Sequence, residues 1–408
     1  MKKFLALTLA LVMSLSLVAC GGKKTDDTKT DEPDQKTEQP AENEGAYKVA
    51  MITDYGDITD QSFNQTTYEA CKAFAEDNSI EFSYFRPAGD NTADRVAMIE
   101  KAVDEGFNVI VMPGYAFGGA IVEAAPEFPD VKFIALDVAA GDLLETAVAK
   151  AGESYDYNPS NWDLNKYVDM SNVYCAVYQE ELCGYMAGYA AVKLGYKNLG
   201  FLGGMAVPAV VRYGYGFVQG VDAAAADLGL TDVSLNYVYG GQFFGDADIT
   251  AVMDTWYAGG TEVVFACGGG IYTSAVDAAK KVGAKVIGVD VDQNYIGANG
   301  VADGTYAYNP FITSAMKGLS EAVNTALSDI EAGDWSEIAA SNGNFGLEDG
   351  DYIGLPTADD SWNFETFTKD EYETVKEKIK SGEITVDNNS DDATKPTVSE
   401  FTTVNYIQ

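Results

Sequence analysis

A chain of 408 residues with a formal net charge of −37 is too long for one compact core and too acidic to favour a nucleic-acid partner. It contains no histidine, which excludes Ser-His-Asp and Cys-His nucleophilic pairs, His-ligated zinc and a histidine general base, although carboxylate-only hydrolysis stays possible. With 47% hydrophobic and 22% charged residues, most of the chain is expected to be globular. We predict no cofactor.

The first twenty residues have the pattern of an export signal. Lys2 and Lys3 precede an apolar stretch, residues 4–18, which is too short to span a bilayer. The stretch ends in Leu17-Val18-Ala19-Cys20, which resembles the bacterial lipoprotein signal, in which cleavage precedes the cysteine and the cysteine receives lipid. We therefore predict a signal peptide at 1–19 and a lipidated Cys20, with an ordinary secretory signal as the alternative.

The segment that follows, within 20–46, is polar and has no aromatic residue. Such a segment cannot bury a core and is expected to be a disordered tether. A tether on a lipid anchor predicts that the globular part works at the extracytoplasmic face of the cell membrane.

The other cysteines are Cys71, Cys175, Cys183 and Cys267. Their wide and irregular spacing argues against a metal site. We expect four buried thiols, with a Cys175–Cys183 disulfide as the alternative.

From Tyr47 onward, strand-like and helix-like segments alternate. The predicted strands are Val49–Thr53, Glu81–Phe85, Val109–Met112 and Phe133–Asp137, and the predicted helices are Thr66–Asp77, Thr92–Glu105 and Gly119–Glu127. This alternation is typical of a parallel, doubly wound sheet. Residues 139–170 break the pattern, so we predict an insertion there, helical in part at 143–150, which either covers the ligand cleft or decorates the surface.

A second alternation follows. Its predicted strands are Val173–Tyr178, Asn198–Leu202, Ser234–Val238, Glu262–Cys267 and Lys285–Val289, and its predicted helices are Glu180–Leu194, Val210–Leu228, Asp248–Ala258, Tyr272–Val282, Ser314–Glu331 and Lys369–Ser381. We expect an N-terminal lobe of 47–176 and 304–340, a C-terminal lobe of 177–303 and 341–387, and a surface tail at 388–408.

The loop after the first strand carries the residues most suited to a ligand. Asp54 can accept hydrogen bonds, Phe63 offers a flat apolar ring and Asn64 offers an amide. The carboxyl ends of parallel strands are where open α/β sheets bind ligands. Further candidates at predicted strand ends or helix starts are Asp137, Gly268, Tyr272, Asp290 and Lys317.

Several stretches together resemble the basic membrane protein family of bacterial lipoproteins, which are substrate-binding proteins of ABC importers and include purine-nucleoside receptors. They are DYGDITDQSFN, FPDVKFIALD, LGFLGGMAVPAVVRYGYGFVQG, VIGVDVDQ, TSAMKG and KIKSGEITV. The resemblance implies a type I periplasmic-binding-protein fold, with two Rossmann-like lobes, parallel sheets and a hinge of crossing strands.

The resemblance also implies roles for the candidate residues. Phe63 would stack on the base, Asn64 and Asp137 would bind the edge of the base, and Asp54, Asp290 and Lys317 would bind the ribose. Tyr272 is placed as the second stacking ring, in a position where the family is expected to have phenylalanine.

The resulting hypothesis is a lipid-anchored, monomeric solute-binding protein that delivers nucleosides, with purine nucleosides expected, to an ABC permease. A receptor for a sugar or another small polar solute is the alternative within the same class. A carboxylate-based nucleoside hydrolase and a surface antigen are the alternatives from other classes.

Overall fold

The computed structural model describes residues 47–350 and 352–407 as an α/β protein. Its strands are β1 (Val49–Ile52), β2 (Phe82–Phe85), β3 (Val109–Pro113), β4 (Lys132–Leu136), β5 (Val173–Tyr178), β6 (Asn198–Gly203), β7 (Val233–Tyr239), β8 (Val263–Cys267), β9 (Lys285–Asp290), β10 (Phe311–Lys317), β11 (Ser341–Phe345), β12 (Ile353–Gly354) and β13 (Thr402–Tyr406). Its α-helices are α1 (Phe63–Asn78), α2 (Thr92–Asp104), α3 (Gly118–Ala124), α4 (Ala140–Lys150), α5 (Leu164–Tyr167), α6 (Glu180–Lys193), α7 (Pro208–Leu228), α8 (Ala247–Ala258), α9 (Tyr272–Val282), α10 (Asn294–Ala302), α11 (Leu319–Ala332), α12 (Trp335–Ile338) and α13 (Lys369–Lys380). Strands and helices alternate from β1 to α11, which confirms the predicted α/β class.

The described strands form two sheets with the same winding order. The first sheet runs β2–β1–β3–β4–β5–β11 and the second runs β13–β7–β6–β8–β9–β10–β12. Neighbouring strands are parallel, and β10 and β12 form the antiparallel pair. In each sheet the order reverses at a switch point, between β1 and β3 and between β6 and β8. Ligands of doubly wound sheets bind outside the carboxyl ends of the strands at such points.

The central strands are buried on both faces. All four residues of β1 and all five of β3 and β8 are buried, and this explains why these strands read as continuous apolar runs rather than as alternating ones. A cluster of buried apolar residues extends across both sheets and includes side chains of α6, α7 and α11. The two sheets therefore share one apolar core, which fixes the positions of their carboxyl ends.

The helices α6 and α7 pack with almost no space between their backbones. A Cβ atom placed at Gly184 would lie 2.2 Å from the Tyr213 carbonyl oxygen, and one placed at Gly216 would lie 1.9 Å from the Glu181 carbonyl oxygen. Glycine is required at both positions because any side chain would collide with the neighbouring backbone. The pair therefore forms one tightly packed unit.

The chain crosses between the sheets three times, and the strand pairing differs from the predicted lobes. We assigned 304–340 to the first lobe and 341–387 to the second, but β10 pairs with β9 in the second sheet and β11 pairs with β5 in the first. The crossings are therefore β5 to α6, β10 to α11 and β11 to β12. The prediction that a helix begins at 313–317 is also wrong, because these residues form the end of the buried strand β10. Their polar and small side chains do not form the apolar run by which a buried strand is recognised in a sequence.

The segment 139–170 contains a regular element of the fold. Its first part is α4, which packs against α3 and buries Leu143 and Val148. Val168 and Met170 at its end are also buried. The predicted insertion is thus confined to the surface turns between α4 and α5, and α4 is the connection expected between β4 and β5.

The C-terminal residues do not simply lie on the surface as predicted. β13 adds to the edge of the second sheet beside β7. The preceding residues are fixed to α7, where Asp222 accepts hydrogen bonds from the backbone N–H and the hydroxyl of Ser399 at 2.9 and 2.7 Å.

Cys71, Cys175, Cys183 and Cys267 are free and buried, as predicted, and the alternative Cys175–Cys183 disulfide is not formed. The predicted signal peptide 1–19, Cys20 and the tether lie outside the described residues. Among the residues that the structure describes, no helix combines the length and the apolar character needed to cross a bilayer.

Candidate ligand-binding site

A cavity of about 400 Å³ lies between the carboxyl ends of the two sheets. This volume falls within the roughly 300–1,000 Å³ of typical small-molecule sites. Its walls come from the loops after β1, β3 and β4 of the first sheet and from the ends of β8, β9 and β10 of the second. The switch points of both sheets therefore face one shared space, which we call the cavity below.

Seven of the eight predicted ligand-binding residues line the cavity. They are Asp54, Phe63, Asn64, Asp137, Gly268, Asp290 and Lys317. Tyr272 does not line it and packs instead in the core of the second sheet, with its ring centroid 6.0 Å from that of Phe311. Gly268 and Gly269 have positive φ values of 131° and 49°, so the chain turns sharply between β8 and α9, and the sequence does not reveal where Tyr272 ends up after that turn.

Phe243, in the loop after β7, is one of three aromatic residues that the second half of the molecule places in the cavity, together with Phe244 and Tyr213. A Cβ atom on Gly268 would lie 2.7 Å from Phe243 Cδ1, so the glycine makes room for this ring. Tyr55 of the first sheet's loop faces Phe243, with ring centroids 6.2 Å apart and planes 22° apart. Sequence reasoning missed Phe243, although two phenylalanines in a glycine-containing loop directly after β7 are a usable signal.

The loop after β1 is held by its own acids. The backbone N–H groups of Tyr55 and Gly56 each donate to Asp54 Oδ1 at 2.6 Å. Burial raises the pKa of Asp54, and these hydrogen bonds only partly oppose that effect. Asp60 caps α1, because its carboxylate accepts from the backbone N–H of Asn64 at 3.0 Å. The Oδ1 atom of Asn64 is buried and has no protein partner among the described residues.

A buried ion cluster forms the floor of the cavity. Lys317 Nζ contacts Asp137 Oδ2, lies 3.5 Å from Glu180 Oε1 and lies 3.7 Å from Asp290 Oδ1. Burial alone would lower the pKa of Lys317, but the attraction of Asp137 and Asp290 outweighs it and raises the pKa. Burial raises the pKa of Asp137 to about 6, against the opposing effect of Lys317. The cluster therefore keeps a lysine charged among carboxylates from both sheets.

A second cation, Arg212 of α7, also lines the cavity and was not predicted. Its Nε donates to Glu180 Oε2 at 2.7 Å, and Glu180 is fully buried. Asp142 lies near Arg212, and burial raises the pKa of Asp142 to about 7 although Arg212 opposes this. Glu180, the first residue of α6, thus connects the two cations of the site.

Direct hydrogen bonds join the loop after β1 to the second sheet. The Ser62 hydroxyl donates to Asp290, the Gln293 side-chain amide donates to the Gln61 carbonyl oxygen at 2.9 Å, and the Tyr295 hydroxyl donates to Gln61 Oε1 at 2.7 Å. The cavity is therefore closed on this side by contacts between the two halves of the molecule.

The site is rich in acceptors and poor in free donors. Asp54, Asp137, Asp142 and Asp290 offer carboxylate oxygens, whereas Lys317 already faces three carboxylates. Such a lining suits an uncharged ligand that donates several hydrogen bonds, such as a polyol. Within the described residues, no group of three or more acids or cysteines is placed to hold a metal ion.

Two doubly wound sheets that face one shared ligand cavity define a two-lobed solute-binding protein. Residues 47–390 match the family model described as "Bmp: ABC transporter substrate-binding protein PnrA-like", and the chain belongs to this family. It is therefore a substrate-binding protein of an ABC transporter, which binds a small-molecule solute, interacts with a permease and functions outside the cytoplasm in association with the membrane. The family is not one of enzymes, which removes the hydrolase alternative.

The family assignment agrees with individual relatives. The chain is 26% identical to the "ABC transporter nucleoside-binding protein BmpA" of Lactococcus lactis over 69% of this chain and 73% of the relative. It is 27% identical to the "CD4+ T-cell-stimulating antigen" of Listeria innocua over 94% of this chain and 98% of the relative. Among solved structures, a solute-binding protein of an ABC transporter system from Aeropyrum pernix shares the fold, with a TM-score of 0.65, 20% identity, and coverage of 85% of this chain and 95% of that chain.

Proposed function

We propose that the solute is a nucleoside, with purine nucleosides expected, and that the protein delivers it to the permease. The observation that supports this most directly is that Phe63 and Phe243, from opposite halves of the molecule, line the same cavity as the acidic cluster around Lys317. A ligand with a flat base and a polyhydroxylated sugar needs both kinds of surface. The name of the Lactococcus lactis relative agrees with this ligand class.

The proposed roles follow from the chemistry of each group. Phe63 and Phe243 stack on the base, and Asn64 and Asp137 bind its edge. Asp54, Asp290 and Lys317 bind the ribose hydroxyls, because a carboxylate can accept from two neighbouring hydroxyls. Lys317 Nζ lies 4.7 Å from the Phe63 ring centroid, so the proposed sugar and base sites are adjacent, as a joined base and sugar require.

Isothermal titration calorimetry with inosine, guanosine, adenosine, uridine and free ribose tests the proposal. We expect binding of nucleosides at micromolar concentration and no comparable binding of ribose. Absence of binding by every nucleoside would contradict the proposal, and tight binding of ribose alone would favour the sugar-receptor alternative.

We also propose that Cys20 carries the lipid anchor after removal of residues 1–19, and that the segment to residue 46 is the tether of a monomeric receptor. Fractionation of cells that express the full chain tests this, with the Cys20→Ser variant for comparison. The wild-type protein is expected in the membrane fraction and the variant in the released fraction, with equal ligand affinity. Release of the wild-type protein, or membrane retention of the variant, would contradict the anchor.

A further inference from the structure

Arg212 presents donors to the cavity that the protein itself does not use. It lies in the first turns of α7, lines the cavity, and has only 14% of its side chain exposed. Its Nε atom is fixed by Glu180 at 2.7 Å. Among the described residues, its two terminal nitrogens have no hydrogen-bond acceptor within bonding distance. Because arginine stays charged in proteins, these N–H groups are permanent donors.

Glu180 lies between Arg212 and Lys317. Its Oε2 atom accepts from Arg212, and its Oε1 atom lies 3.5 Å from Lys317 Nζ. Lys317 also faces Asp137 and Asp290, whereas Arg212 has Glu180 as its ion pair. The cavity therefore has two distinct donor positions, and the one at Arg212 is the free one.

An unpaired acceptor accompanies this free donor. Asp137 binds Lys317 through Oδ2, and its other oxygen, Oδ1, is buried and has no hydrogen-bond partner among the described residues. Asp137 is close enough to Arg212 to stabilise its charge. Leaving a buried acceptor without a partner is costly, so a ligand that donates to Oδ1 gains the energy of satisfying it.

We propose that Arg212 is a specificity-determining residue that donates to a carbonyl oxygen of the base, while Asp137 accepts from the adjacent ring N–H, so that the site selects bases with a lactam edge. This rests on the proposed nucleoside function. Inosine, guanosine and uridine carry such an edge. Adenosine and cytidine have the reverse order, an amino group next to an unprotonated ring nitrogen, which would place donors against the donors of Arg212 and leave an acceptor opposite the carboxylate.

Glu180 is a positioning residue in this arrangement. It touches no ligand in the proposal but fixes the plane of the guanidinium through Nε, so that the terminal N–H groups point in a defined direction. Removing its negative charge is expected to weaken the discrimination between bases rather than abolish binding.

The test is calorimetric titration of the wild type and of Arg212→Met with inosine, adenosine and purine riboside, which lacks both the carbonyl oxygen and the adjacent ring N–H of inosine. The wild type is expected to bind inosine about 10- to 100-fold more tightly than the other two, as for hydrogen bonds to a charged group. In Arg212→Met the affinity for inosine should fall about 10-fold while that for purine riboside changes little. The ratio therefore falls but stays above one, because Asp137 still accepts from the ring N–H that inosine alone carries. The unchanged purine riboside affinity shows that the variant is folded.

Glu180→Gln and Arg212→Lys provide a second route if Arg212→Met does not fold. Both keep the size of the side chain, and both should reduce the ratio of inosine to adenosine affinity. The matched control is Glu181→Gln, the next residue of α6, which is also buried but does not line the cavity and should leave the ratio unchanged.

Equal ratios in the wild type, Arg212→Met and Glu180→Gln would overturn this inference, and so would a wild type that prefers adenosine. Either result leaves the nucleoside proposal intact. A wild type that binds no nucleoside would overturn the proposed function and this inference together, so the wild-type titration distinguishes the two failures.

Discussion

Asp137 and Asp290 occupy corresponding positions in the two sheets, at the ends of β4 and β9, and both have left-handed backbones with φ values of 59° and 67°. This region costs most residues energy, of the order of 1–3 kcal/mol, but aspartate tolerates it better than most. Lys317 contacts both carboxylates. The same local backbone geometry, used once in each sheet, thus directs two acids at one cation.

Replacing Lys317 with Met should lower the free energy of unfolding by about 3–5 kcal/mol, because Asp137 and Asp290 would lose their buried counter-charge. Urea denaturation monitored by circular dichroism measures this. Lys281→Met is the control, since its ion pair with Asp254 is solvent-exposed and should contribute less than about 1 kcal/mol. A Lys317→Met protein as stable as the control would contradict the role of the cluster.

Replacing Phe243 with Ala should weaken inosine binding by roughly 1–3 kcal/mol, the usual contribution of stacking on one ring. Phe63→Ala should have an effect of similar size. Tyr272→Leu is the control, since this ring lies outside the cavity and leucine removes the ring while keeping an apolar side chain in the core. Calorimetry on the three variants compares Phe243 with Tyr272 as the second stacking ring. Loss of affinity in Tyr272→Leu without loss in Phe243→Ala would contradict the assignment of Phe243.

The Asp142→Asn variant should show a weaker dependence of stability on pH. Burial raises the pKa of Asp142 to about 7, above the value of about 4 expected in the unfolded chain. Between these values the folded protein holds more protons than the unfolded one, so the free energy of unfolding falls as the pH rises, and stops falling above about pH 7. Asparagine has no proton to lose, and its amide oxygen can still accept from the Ala139 N–H.

Urea denaturation of ligand-free protein at about pH 5 and about pH 8 measures this dependence. Asp137 and Glu181, whose pKa values burial raises to about 6 and about 7, act in the same direction and remain in the variant. Part of the dependence should therefore persist in Asp142→Asn. An identical difference between the two pH values in wild type and variant would contradict the prediction.

A chain that ends at residue 390 should associate or aggregate. It would lack β13, and the edge of β7 would then expose unpaired backbone groups, a common template for pairing between molecules. The ring of Tyr237, whose centroid lies 5.3 Å from that of Tyr406, would also lose its cover. Size-exclusion chromatography with light scattering should show larger species for the truncated chain than for a chain that retains β13. A truncated chain that is monomeric and equally stable would show that β13 does not protect the edge of the sheet.

Sequence reasoning recovered the elements whose burial produces an unmistakable pattern. The predicted bounds of β5 and α9 agree with the structure, because the first reads as an apolar run and the second has a regular helical period. It failed for β11, whose sequence Ser-Asn-Gly-Asn-Phe carries no strand signal and forms a strand because β5 offers an edge to pair with. Long-range pairing of this kind is decided by tertiary contacts, not by local preference.

In the candidate site, too, the residues that follow a clear local sequence pattern were predicted and the others were not. Asp137 and Asp290 could be located because each ends a recognisable buried strand. Arg212 could not, because the first turns of α7 bring it to the cavity. Phe243 was missed although its loop carries a signal, because the chain turns at Gly268 and Gly269 decide which aromatic ring enters the cavity.

The backbone contact between α6 and α7 has a consequence for how the protein opens. Because α6 and α7 pack backbone against backbone at Gly184 and Gly216, we expect α6 to move with the second sheet as one block. The pivot of any hinge motion then lies just before Glu180, beside Gly346, where a Cβ atom would lie 2.3 Å from Gln179 Oε1. Bending there would move Glu180, and with it both cations of the cavity. Hinge motion would therefore itself change the positions of the groups that bind the solute.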